Sequence, residues 1–199
     1  MKLRVNLLLF AAMLIIGSAV TGCNSITNHN ATQADTIPDV VETYLTAVDR
    51  YLTQEIAPNY APGEICIPVI NVVDVNEQNP DSILVWGDFW VFNYNLAGDT
   101  LKTVSGGDHP GLMCVKQTET GFEVIGFDRG VDGAGNIASA KRIFGDKYGA
   151  FFAANSDENK REQVRAIAIA KYVKDNALTA TLYQDYGWPV KPIPLDSIQ

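Results

Sequence analysis

The chain has 199 residues, with 15 Lys and Arg against 23 Asp and Glu, a formal charge of -8, and 47% apolar composition. That acidic balance excludes the basic surface by which proteins hold nucleic acid. The length supports one domain with a sizeable core and gives no reason for two.

The amino terminus is the most informative segment. Lys2 and Arg4 precede an apolar run over 5–20 that is broken only by Asn6, Gly17 and Ser18. The run is shorter than the ~20 residues a spanning helix needs, and no cationic cluster follows it. It ends in Val20-Thr21-Gly22-Cys23, which resembles the lipobox of bacterial lipoproteins. The resemblance implies that residues 1–22 are a signal peptide and that Cys23 becomes the lipidated first residue. At ~0.8 kcal/mol per buried methylene, several acyl chains such as palmitate anchor a protein almost irreversibly. Asn24 is not the aspartate associated with inner-membrane retention, so the expectation is an outer-membrane position facing the periplasm. Removal of Lys2 and Arg4 leaves 13 basic against 23 acidic residues, a charge of -10.

Residues 23–35 are polar and read as the lipidated cysteine and a flexible tether. Asp35, Thr36, Pro38 and Asp39 form a helix-start signal. Val41, Tyr44, Leu45, Val48 and Leu52 then continue one apolar face, which predicts a helix over 37–57 lying on a sheet. Strand signals follow at 65–75, where Pro68 marks an edge or bulge, and at 83–95, where apolar residues on both faces imply cover on both sides. A hairpin turn at 97–99 leads to a strand at 101–105. A Gly-rich loop is expected at 106–111, then strands at 112–117 and 122–128. Helical spacing resumes over 138–152, and Asn155, Ser156 and Asp157 cap a second helix to about 176 with Val164, Ile167, Ala168 and Tyr172 inward. The expected organisation is one domain over 36–180 and a Pro-containing extended tail over 181–199, pinned by Trp188. The fold class is α+β: an N-terminal helix on a curved antiparallel sheet of four or five strands, with two C-terminal helices.

A helix followed by antiparallel strands with bulge signals such as Gly87-Asp88 resembles the cone of the NTF2-like and cystatin-like folds. The stretch 87–128, with Ser105-Gly106-Gly107-Asp108-His109-Pro110-Gly111, also resembles uncharacterised lipoproteins of the Bacteroidetes. Two helices after the sheet depart from the NTF2-like order, which normally ends in strands. Because that cone hosts isomerases, dehydratases and plain binding modules, the resemblance assigns no chemistry.

The candidate site residues are Asp88, Trp90, Tyr94, Asp108, His109 and Asp128. Trp86, Trp90, Phe92 and Tyr94 share a strand face with Asp88, either lining a cavity for an apolar or sugar ligand or packing against the first helix. Ser105, Asp108 and His109 lie too close in sequence to align as nucleophile, orienter and base, so no catalytic residue is assigned. Asp128, Arg129 and Asp132 read as an ion-paired turn. His109 is the single histidine beyond the tether, and no spacing resembles a closed metal site or a cofactor loop. Cys66 and Cys114 are candidates for a disulfide or for buried free thiols. Asp-Ser/Thr-aliphatic tripeptides at Thr36, Ser82, Thr100 and Ser197 resemble the Bacteroidetes O-glycosylation acceptor. Turn chemistry explains the same pattern. The functional expectation is a membrane-tethered, non-catalytic binding or accessory module whose small-molecule, glycan or protein partner is unknown. The alternative is an NTF2-like enzyme or carrier with a pocket between helix and sheet, using Asp88, His109 or Asp128.

Overall fold

The structure is a computed structural model that describes residues 42–197. The expected signal peptide, Cys23, Thr36 and the expected helix start before residue 42 lie outside the described residues. Within them the first helix, α1 (Tyr44–Tyr51), begins later than position 37. Thr43 adopts an extended conformation and forms a reciprocal capping box with Thr46. Wider π-helical turns carry the chain on through Leu52–Ile56, and Pro58 sits in the closing turn.

Four long strands follow as antiparallel neighbours: β1 (Ile65–Asn76), β2 (Ile83–Ala97), β3 (Thr100–Thr118) and β4 (Gly121–Arg129). Register shifts between Val72 and Asp74, between Asn93 and Tyr94, and between Cys114 and Val115 bulge the ladders and curl the sheet. Pro68 falls on β1, an edge strand, as its missing N–H requires. The loop expected at 106–111 does not exist: β3 runs through it as one strand of 19 residues.

Helical structure after the sheet comprises three helices rather than two: α2 (Asn136–Phe144), α3 (Tyr148–Ser156) and α4 (Glu158–Asp175). Gly145, at a φ of 52°, makes the break that divides the expected 138–152 helix. Asp157 caps α4 as its side chain accepts from the Lys160 amide. The expected tail instead completes the sheet. β5 (Leu182–Gln184) pairs parallel to β3, and β6 (Lys191–Pro192) pairs with β5. Ile193 is buried there, whereas Trp188 is 68% exposed and pins nothing.

The two sheet faces bury different partners. Val85, Phe89, Val91, Met113 and Val115 pack under Ala47 and Val48 of α1 and Leu52 of the turn that follows it. On the other face Ile67, Tyr94, Leu101 and Tyr183 meet Ile169, Ala170 and Val173 of α4. Further along that face, Trp86, Leu112 and Val73 meet Ile143, Phe144 and Phe151. The aromatic stripe is therefore core, but against the C-terminal helices and not the first one. The inward side of α4 is also displaced from the expected one, since Ile167 is half exposed and Arg165 is buried.

Arg165 stays buried because its guanidinium is fully engaged. It donates through Nη1 and Nη2 to the two oxygens of Asp185 at 2.8 and 2.7 Å, through Nε to Tyr94 Oη at 3.1 Å and through Nη2 to Thr103 Oγ1 at 3.0 Å. It also lies 3.9 Å over the Phe92 ring. The guanidinium beside Asp185 holds that carboxyl below the usual range. Removing Asp185 strands a buried charge. Asp185→Ala is expected to lower unfolding free energy by about 3 kcal/mol, the low end for a buried pair because Asp185 keeps some solvent contact. In the same urea titration Asp128→Ala, which breaks an exposed pair with Arg142, should barely move the midpoint.

Candidate functional site

Between the two cores on the α4 face lies a polar seam. Asp88, at the middle of β2, has no exposed surface, and Trp90 is almost as buried. The Trp90 indole N–H is shared between Asp88 Oδ1 at 3.0 Å and Asp108 Oδ1 at 2.7 Å. Antiparallel pairing opposes Trp90 to Asp108 and Asp88 to Pro110, which brings the two carboxyls together on one face. Asn155, in the last turn of α3, donates to Asp88 Oδ2 at 3.0 Å. Arg161 of α4 reaches Asp108 Oδ2 at 3.3 Å and lies over the Trp90 ring.

Burial, and a hydrogen bond and negative charge from Asp108, push the Asp88 carboxyl up to about 8. At neutral pH the Asp88 carboxyl is therefore mostly protonated, because burial beside the Asp108 charge disfavours its ionised form. Folded, the carboxyl titrates near 8, whereas its ordinary value is 3.8. Between those limits the folded state keeps a proton that the unfolded state has released. This contribution to stability is complete below pH 4, declines as pH rises toward 8 and is flat above.

The neighbouring residue on β3, His109, points to the opposite face. Its Nε2 shares a hydrogen bond of 3.0 Å with the Tyr60 hydroxyl. Burial and the charge of Arg129 hold the imidazole below its usual pKa, so it is neutral at pH 7. Gly107 makes this contact possible: a Cβ there would sit 1.8 Å from the Tyr60 oxygen. Tyr60, Asp108, His109, Arg129, Asp132 and Asn136 line an open cleft of about 670 Å³. The cleft opens where β4 leaves β3, just past the last rung, Gly130 N–H to Pro110 O at 2.8 Å.

Of the sequence candidates, Asp88, Trp90 and Asp108 form one cluster, and His109 joins Asp108 at the cleft. Tyr94 belongs to the Arg165 network. Asp128 stands apart in a bidentate pair with Arg142 at 2.6 and 2.8 Å, so the expected ion-paired turn with Arg129 and Asp132 does not form. Val85, Phe89, Val91, Met113 and Val115 pack against α1, and the cavity between α1 and β1, at Leu45, Asp49, Ile67 and Ile70, is lined by none of Asp88, His109 and Asp128. Cys66 and Cys114 are separate thiols, opposite Asn93 and Leu84 on β2, which excludes the candidate disulfide. Among the glycosylation candidates Ser197 is exposed, Ser82 is half-buried against Cys114, and Thr100 is buried with its hydroxyl bonded to Asp99, which closes that acceptor in the folded chain. Tyr60, Arg129, Asn155 and Arg161 were not legible as site residues. Among the described residues no cluster of His, Cys, Asp and Glu is arranged to hold a metal ion. No family model, no curated protein and no solved structure matches the chain.

The amide Asp88→Asn mimics the protonated acid and removes the titration. It should match wild type in melting temperature near pH 4 and exceed it by roughly 5–10 °C at pH 8.5, read by thermal scans across that range. Parallel wild-type and variant curves would show that Asp88 is not the titrating group.

Proposed function

We propose that the protein is a lipid-anchored, non-catalytic binding module, held through Cys23 at a membrane and presenting the cleft at Tyr60, Asp108, His109, Arg129 and Asp132 to its partner. The outer membrane, facing the periplasm, is the proposed location. No helix among the described residues is long and apolar enough to cross a membrane, so attachment in this reading rests on the acyl chains alone. α1 on a bulged antiparallel sheet supports the kinship with cone-shaped α+β folds, while three helices on the far face depart from it.

The observation that carries the reading is that the reactive-looking groups at the cleft are already engaged. Both oxygens of Asp88 accept hydrogen bonds behind the wall, Asp108 is held by Trp90 and Arg161, and His109 is tied to Tyr60. Such groups recognise and orient a ligand without carrying a proton through a reaction. A second reading, a small-molecule enzyme, has one specific support: the proton that Asp88 retains at neutral pH beside Asp108, which lines the cleft.

Two measurements test the proposal. Cys23→Ser should leave the membrane fraction or stall with its signal peptide uncleaved, with unchanged circular dichroism. A wild-type amino terminus found unmodified elsewhere by mass spectrometry refutes the anchor. Second, a thermal-shift panel of oligosaccharides, bile acids, apolar metabolites and peptides should yield a ligand that raises the melting temperature of the full chain by at least about 3 °C. The shift should vanish in Arg129→Ala and Asp132→Ala. Turnover of that ligand would replace this reading with the enzymatic one.

A further inference from the structure

β2 pairs with β3 from Thr100 to Val115. The opposite edge of β3 is shared: β5 takes Thr100 to Lys102, and β4 takes Gly111 to Thr118. Residues 103–110 thus have an unpaired outer edge, about 26 Å long at ~3.3 Å per residue, bulged at Val104 and regular over 105–110. Among the described residues, the one main-chain bond to this stretch from that side is Gly130 N–H to Pro110 O, at its end. Because Pro110 directs its carbonyl outward, the two-residue period directs the amide and carbonyl groups of Asp108 and Gly106 outward too. Both residues are exposed. A cleft stands at each end of the stretch, one at Asp108 to Asp132 and a smaller one of about 220 Å³ at Lys102, Thr103, Gln184 and Gly187.

We infer that this open edge is a seat for one extended, proline-free peptide segment of a partner protein, about eight residues long, which adds to β3 as a strand between β4 and β5. The inference rests on the binding-module reading and names the ligand class of the same cleft. Main-chain bonds to Gly106 and Asp108 supply the register. Alternate side chains of the peptide then fall toward Tyr60, His109 and Arg129 on one face, and toward Trp90 and Arg161 on the other.

The walls select the occupant. β4 fills the strand position at one end, and β5, backed by β6, fills it at the other, so the edge is a recessed slot. A second folded copy would have to enter with one of its own edges. β1 with 12 residues and β4 with 9 are longer than the slot, and β6 offers only 2. The chain's own segment before residue 42 is the other local source. Glu42 lies against Gly121 and pairs with Arg50, at the far end of β4. Reaching the slot takes about 9 residues along β4 and filling it about 8 more, on strand spacing. That would consume the segment after Cys23 and leave no tether to the membrane.

The test is selection of a random proline-free octapeptide display library on the full chain in detergent, followed by synthesis of the enriched peptide. The expected peptide slows hydrogen exchange at the Gly106 and Asp108 amides, and N-methylation of its alternate residues weakens binding at least about thirtyfold. The inference is overturned if no peptide is enriched, if the enriched peptide leaves those amides unprotected, or if the methylated peptide binds equally. It is also overturned if the two amides are protected in the free chain and become exchangeable once residues 24–40 are deleted. If peptides fail while an oligosaccharide still raises the melting temperature through Arg129 and Asp132, the inference falls and the binding-module reading stands. If neither binds, both fall.

Discussion

The constraint on which the structure depends is that β3 alone pairs with β2, β4 and β5. A strand of 19 residues can do this only if nothing inside it breaks the ladder to β2, yet it contains Gly106, Gly107, Pro110 and Gly111. Each is placed where its liability is harmless. Pro110 lacks an N–H, but that position faces outward with its carbonyl, so the ladder to β2 loses no bond. Gly107 gives up side-chain packing and in exchange admits the Tyr60 hydroxyl to the sheet surface. At Gly111 a Cβ would meet the Asp128 carbonyl at 2.5 Å, so the missing side chain lets β4 approach.

The second organising feature is the polar seam on the α4 face. Two apolar cores flank it, one under α4 and one under α2 and α3, and between them lie Asp88, Trp90, Asp108, Asn155 and Arg161. Buried polar groups of this kind contribute little net stability, because desolvation offsets their attraction. Their effect is geometric. Apolar side chains tolerate sliding of a helix over a sheet, whereas Arg165 meets Asp185 through two parallel bonds that are lost with any displacement. The same bonds tie β5 to α4, so a short two-strand addition that could not stand alone is held in the sheet.

What was legible in the sequence follows from this arrangement. The stretch 83–95 reads as a doubly covered strand because both of its faces are apolar, and the cap at Asp157 reads correctly because capping is a local interaction. The segment 106–111 misleads because glycine and proline are read as turn formers, while here they serve a close approach and an outward edge that only the register reveals. The inward side of α4 misleads because its best-engaged residue is an arginine. At the site, Asp88 and Asp108 are each visible, but their meeting depends on pairing across β2 and β3. Tyr60 lies between Pro58 and Pro62 and offers no periodic signal at all.

An open strand edge normally invites association with any other edge, and proteins blunt it with bulges, charge or cover. The remaining free edges here follow that rule. β1 carries Pro68 and a bulge after Val72, and β4 carries a bulge at Ile125. β3 carries the same devices in its open stretch, a bulge at Val104, the charge of Asp108 and Pro110, and adds to them the strand ends on either side. Recess discriminates by width, since a single extended chain enters where a folded sheet collides. The formal charge of the whole chain, -8, adds repulsion between copies, which acts at distances a short neutral peptide never senses. The edge is thus closed to the protein's own kind while its main-chain groups stay available to a lone strand.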